Sequence, residues 1–101
     1  MGNREELDAL LCKTLGSENV YFQPPENLQI HYPCIIYSLS GLYDRHADNK
    51  TYHRRREYNL LYITWDPDDA VIEAIADLEL CSLGKPYTAD NLHHYPYTLY
   101  Y

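Results

Sequence analysis

The sequence predicts an α+β fold: a mainly antiparallel sheet with two helices packed on one face, in the order α-β-β-β-α-β. Three observations predict it. Leu7, Leu10, Leu11 and Leu15, and again Val71, Ile72, Ile75 and Leu78, recur at helical spacing. Residues 33–39 and 51–65, and the segment carrying Tyr95, Tyr97, Leu99 and Tyr101, are rich in β-formers or alternate with period two. Each helix has only one apolar stripe, so both are most economically buried on the same side of the sheet. The other sheet face is left over.

Asn3 followed by Glu6 is a variant of the capping box and opens the first helix, which Gly16 ends. Residues 19–23 read as a short strand stopped by Pro24 and Pro25, and a polar turn leads to the strand at 33–39. Residues 41–50, with their Asp, Asn and Gly, predict the loop of a hairpin. The long strand at 51–65 puts Tyr52, Arg54, Arg56, Tyr58, Leu60 and Tyr62 on one side. Arg55, Glu57, Asn59, Leu61, Ile63 and Trp65 fall on the other. Asp66 as cap, Pro67 in the first turn and the carboxylates of Asp68 and Asp69 predict a second helix beginning there. Gly84 and Pro86 then lead to the last strand.

With 101 residues the chain is one domain, 1–101, since separate cores need far greater length. Its 46% apolar and 14% aromatic content excludes disorder. Twelve of the aromatics are Tyr, against one Phe and one Trp, a composition suited to half-buried surfaces and interfaces. The net charge of −7 disfavours stable binding to DNA or RNA. Cys12, Cys34 and Cys81 are odd in number and widely spaced, which indicates neither a disulfide framework nor a zinc site. The first residues lack an apolar signal core, and Glu6 stands where myristoylation wants Ser or Thr. Residues 27–43 carry no formal charge but are interrupted by Asn27, Gln29, His31 and Pro33, so no spanning helix is expected. The expectation is a cytoplasmic protein with no membrane segment.

No chemistry-bearing motif appears. Asp66, Asp68 and Asp69 lack the spacing of a calcium loop and read as helix-capping residues, while the adjacent His93 and His94 point to opposite faces of a strand. Without a phosphate loop, a nucleophile elbow or a His-acid pair, no catalytic, cofactor-binding or metal-ligating residue is expected. The arginines at 54, 55 and 56 are split between two strand faces by alternation, which weakens a nucleic-acid groove. Residues 44–56 hold five positive and two negative side chains, whereas residues 66–79 hold six negative and no positive ones. Such polarity suits head-to-tail contacts between identical copies. Two solvated patches without a partner are the other reading of the same charges. The face carrying Tyr52, Tyr58 and Tyr62, together with Tyr97, Tyr100 and Tyr101, offers more aromatic surface than a small core needs and is assigned to assembly.

Several phrases match a known group. They are Glu5-Glu6-Leu7 through Leu15-Gly16, Val20-Tyr21-Phe22-Gln23-Pro24-Pro25-Glu26-Asn27 and Tyr32-Pro33-Cys34-Ile35-Ile36-Tyr37, with Ala89-Asp90-Asn91-Leu92 and Thr98-Leu99-Tyr100-Tyr101. With this element order the chain resembles small neck proteins of tailed phages and prophages of Gram-positive bacteria, in particular the tail terminator, or tail-completion, group. The resemblance implies a structural virion protein without enzymatic residues. It implies a homo-oligomeric ring, usually of six copies, that sits on the tail tube, ends its polymerisation and docks the head-tail connector. DNA would slide through such a ring without specific binding, in keeping with an acidic charge. In such a ring Arg54, Arg55 and Arg56 would meet Asp68, Asp69, Glu73 or Asp77 of the next copy, with Tyr52, Tyr58 and Tyr62 supplying apolar contact. The competing class is a small binding or regulatory module, monomeric or dimeric, gripping a different protein through the same Tyr-rich face.

Overall fold

Capping residues set the limits of the first helix. The computed structural model describes the backbone of residues 3–47 and 50–101, and the side chains of residues 3–42 and 56–101. Asn3 is the N-cap of α1 (Arg4–Leu15), its Oδ1 accepting the Glu6 N–H at 2.8 Å. Gly16 closes the helix at φ 82°, where its N–H reaches the Cys12 carbonyl at 2.8 Å. Glycine takes that left-handed conformation without Cβ strain.

The elements that follow are β1 (Val20–Phe22), β2 (Cys34–Ala47), β3 (Lys50–Thr64), α2 (Val71–Ala76), β4 (Cys81–Leu83), β5 (Tyr87–Ala89) and β6 (Leu92–Tyr100). They form one mixed six-stranded sheet of order β1-β2-β3-β6-β4, with β5 also on β6. β1 runs parallel to β2, and the other pairs are antiparallel. The fold is therefore α+β, as the hydrophobic patterning predicts.

Three details depart from the expectation. Residues 41–47 and Lys50 are strand rather than loop, because they find a ladder partner in the long β3: Leu42 opposes Arg56 and Asp44 opposes Arg54. A register shift between Leu39 and Gly41 leaves Ser40 as the extra residue, with Gly41 itself opposite Glu57. Residues 48 and 49 lie outside the described residues. The second helix begins at Val71, not at Asp66, because residues 66–70 close successive tight turns: the Asp68 N–H meets Asp66 Oδ1 at 2.9 Å and the Ile72 N–H meets the Asp69 carbonyl at 3.1 Å. β4 and β5 are additional strands, and Asp90 (φ 52°) with Asn91 (φ 65°) makes the two-residue left-handed turn that folds β5 onto β6.

Period-two alternation divides the core. On the helix side, Ile35 and Tyr37 of β2, Tyr58, Leu60 and Tyr62 of β3, and Tyr97 and Leu99 of β6 pack with Leu7 and Leu11 of α1 and Ile75 of α2. On the opposite side, Cys34, Ile63 and Leu92 form a smaller core with Tyr21, Ile30, Tyr32, Ile36 and Leu61 packed against it. The segment read as a polar turn thus covers part of the leftover face with Ile30 and Tyr32.

β1 pairs only with residues 35–37 of β2, and β6 pairs only with residues 57–64 of β3. The outer part of the β2–β3 hairpin is therefore a two-stranded arm continuing past the sheet. The described backbone measures 50 × 27 × 22 Å with a radius of gyration of 14.5 Å, against about 13 Å for a compact domain of this length.

Candidate functional site

The charged surfaces singled out by the sequence lie on different elements. On one side stands the arm, where Arg56 is exposed and its backbone exchanges hydrogen bonds with Tyr101, at 2.9 and 3.3 Å. Arg54 and Arg55 follow it outward along β3, opposite Asp44 and Tyr43. The side chains of Tyr52, Arg54 and Arg55 lie outside the described residues. On the other side stand the turn and α2, with Asp66, Asp68, Glu73, Asp77 and Glu79 all exposed. No ion pair links Arg56 to Glu73, Asp77 or Glu79 among the described residues.

Asp69 does not belong to that acidic surface. Its Oδ2 accepts the hydroxyls of Tyr62 and Thr64, the latter at 3.2 Å, and its Oδ1 accepts the Val71 N–H at 2.9 Å. Burial raises its carboxyl pKa, but these three donors outweigh that and hold it below the ordinary value. The N-cap expected at Asp66 is instead Ala70, which has no side-chain cap, and Asp69 just before it ties the end of β3 to the first turn of α2.

The tyrosine face also requires correction. Tyr58, Tyr62 and Tyr97 are 1%, 0% and 2% exposed, so their rings fill the protein's own core and present nothing to a partner. Alternation placed them correctly on one strand face, but that face is the one the helices cover. Their hydroxyls are satisfied internally where burial demands it: Tyr62 donates to Asp69, and Tyr97 to the Ile72 carbonyl at 2.7 Å. Burial pushes the Tyr62 and Tyr97 phenols well above their ordinary pKa. Tyr37 donates to Asp8 Oδ2 at 2.7 Å, and burial with that bond pushes its phenol up to about 12. Tyr101 is half-buried against the helix-side core, and Tyr100 is half-buried at the end of β6.

Among the described residues, the large apolar side chains that remain exposed are Leu28, Leu39, Leu42, Trp65, Leu80, Leu83 and Tyr87, none of which the sequence reading assigned to an interface. Leu28, Leu80 and Leu83, in turns or a three-residue strand, give no periodic signal. Leu80 sits at φ 58°, a left-handed conformation unusual for leucine, in the turn joining α2 to β4.

Burial also governs the cysteines. All three are free; the thiols of Cys34 and Cys81 are pushed up to about 11 by burial, and Cys12 donates to Asp8. His93 and His94 make separate contacts, to Thr88 and to the Leu92 carbonyl, and the His94 ring stacks on Tyr87 at 4.7 Å. Among the described residues, no group of three or more His, Cys, Asp or Glu is placed to share a metal ion. No helix among the described residues is long and apolar enough to cross a membrane. No protein-family model matches the chain, and comparison with curated proteins and with solved structures returns no match.

Proposed function

We propose that this protein is a structural ring component of a phage neck, of the tail-terminator kind, which ends tail-tube polymerisation and joins the tail to the head connector. The observation that carries this reading is the placement of opposite charge in one small domain: a two-stranded arm, basic by sequence, that continues past its own sheet, and the exposed acids Asp66, Asp68, Glu73, Asp77 and Glu79 on α2 and the turns that flank it. A heterologous contact of this type closes into a ring when the rotation between copies permits. The phrases shared with phage neck proteins supply the biological setting, and the net charge of −7 suits a channel that lets DNA pass without holding it. The reading requires no cofactor and no catalytic residue.

Tyr58 and Tyr62 are internal, so the apolar part of the contact comes from elsewhere on the surface. The test is native mass spectrometry with negative-stain imaging. Closed rings with a central hole, six copies being the expected number, support the reading, as does shortening of tail tubes assembled in their presence. A monomer at every concentration, with tubes of unaltered length, overturns it.

A further inference from the structure

We infer that the contact between copies is made by two separate leucine patches at opposite edges of the sheet: Leu39 and Leu42 of one copy seat on Leu80 and Leu83 of the next. The inference rests on the ring reading and names the surface that would build it.

Leu39 and Leu42 are 43% and 59% exposed, and Leu80 and Leu83 are 48% and 41% exposed. The first pair lies on β2 just beyond the residues that β1 covers, opposite Tyr58 and Arg56. No strand flanks β2 there on its outer side, where the Leu39 N–H is taken by the Gln23 side chain at 3.1 Å. The second pair frames the start and end of β4, the opposite edge of the sheet, next to the acids of α2.

One chain cannot join its own patches. β2 and β4 are three strand spacings apart in the order β2-β3-β6-β4, roughly 14 Å at ordinary inter-strand distance, with β3 and β6 between them. Two distinct surfaces on opposite edges that cannot meet within a chain suit a head-to-tail contact, which uses each patch once per copy and can continue around a ring.

Charge favours a second copy as the occupant. The leucines of β2 adjoin exposed Arg56 and the arm, whose residues 44–56 hold five positive against two negative side chains. The leucines around β4 adjoin exposed Asp77 and Glu79, in a segment of six negative and no positive side chains. Apolar centres flanked by complementary charge fix both the register and the direction of association.

Leu80 adds an independent observation. It holds a left-handed backbone at φ 58°, where Asn or Gly would sit with less strain, and its carbonyl accepts the Tyr100 N–H at 3.1 Å. The turn needs this backbone shape, while a large part of the leucyl side chain stays exposed. Strain kept at an exposed apolar residue marks a position used for contact.

The test mixes two variants, Leu42→Asp and Leu80→Asn, each changing one patch. Both are expected to stay folded, with the Leu80→Asn melting temperature equal to or above that of the parent, and each alone is expected to be monomeric where the parent assembles. Mixed in equal amounts, they retain one intact pair of patches between them and form a 1:1 dimer that grows no further. If the parent forms rings and both variants do so equally well, the leucine contact is overturned while the ring reading stands. If the mixture stays monomeric although the parent assembles, the patches do not face each other and the inference fails. If the parent itself never assembles, both readings fall.

Discussion

Asp69 accepts hydrogen bonds from the Tyr62 hydroxyl, the Thr64 hydroxyl and the Val71 N–H, so one carboxylate joins the end of β3 to the start of α2. Asp69→Ala leaves the hydroxyl of a fully buried tyrosine without its acceptor, at an expected cost of about 1–3 kcal/mol in urea denaturation. Asp69→Asn keeps an acceptor and costs less. Because its folded pKa is lowered, the charged form of Asp69 stabilises the fold above the ordinary carboxylate value near 4, and that contribution is lost as pH falls through the lowered value. The acid limb of stability should accordingly be shallower in Asp69→Asn than in the parent. The buried phenols act with the opposite sign. Tyr37, Tyr62 and Tyr97 are raised, so their contribution is complete below the ordinary value near 10 and lost as pH climbs through the raised values. In an alkaline titration followed by phenolate absorbance, these three should ionise above the ordinary phenol value of about 10. Ionisation of Tyr37, Tyr62 or Tyr97 at the ordinary value, identified by loss of the corresponding step in a Tyr→Phe variant, would contradict their burial.

At the scale of elements, the ends of α1 are the clearest case of local sequence acting alone. Asn3→Ala removes the acceptor of the Glu6 N–H and should cost about 1 kcal/mol. At Gly16 an added Cβ meets nothing within 4 Å, so Gly16→Ala should cost about 1 kcal/mol purely through the left-handed backbone. Each change should lower the melting temperature by several degrees, read by calorimetry. β6 behaves differently, because it is held on both edges: Thr98 pairs with Asn59 of β3 and with Ser82 of β4. Thr98→Pro removes a ladder donor in the middle of the sheet and should abolish cooperative unfolding. A normal transition in that variant would mean that β6 is dispensable.

For the whole molecule, the proposed ring places weak charge pairs beside apolar contacts, repeated at every interface. Reversing Arg54 and Arg56 to Glu should weaken assembly, each exposed pair being worth about 0.2–1 kcal/mol, and raised salt should act in the same direction. Adding Asp68→Lys and Glu73→Lys to the reversed protein should restore rings in sedimentation velocity. Rings that persist unchanged after reversal, in low salt and high, would remove the arm from the interface.

The helices, the β2–β3 hairpin and the division of β3 into two faces were legible in the sequence because each depends on local periodicity or on a capping residue beside it: Leu7 with Leu11, Asn3 with Gly16, and Tyr58, Leu60 and Tyr62 at period two. The hairpin turn of β5 onto β6 was legible in principle from Asp90-Asn91. Alternation sorts residues onto two faces but does not say which face is covered, so whether Tyr58, Tyr62 and Tyr97 were core or surface was decided only by the docking of α1 and α2. The start of α2 shifted from Asp66 to Val71 for a related reason: the Asp69 carboxylate is taken by Tyr62 and Thr64, partners set by tertiary packing. The separation of Leu42 from Leu80 across the sheet follows from strand order, a property of long-range pairing that the residues around either leucine do not encode.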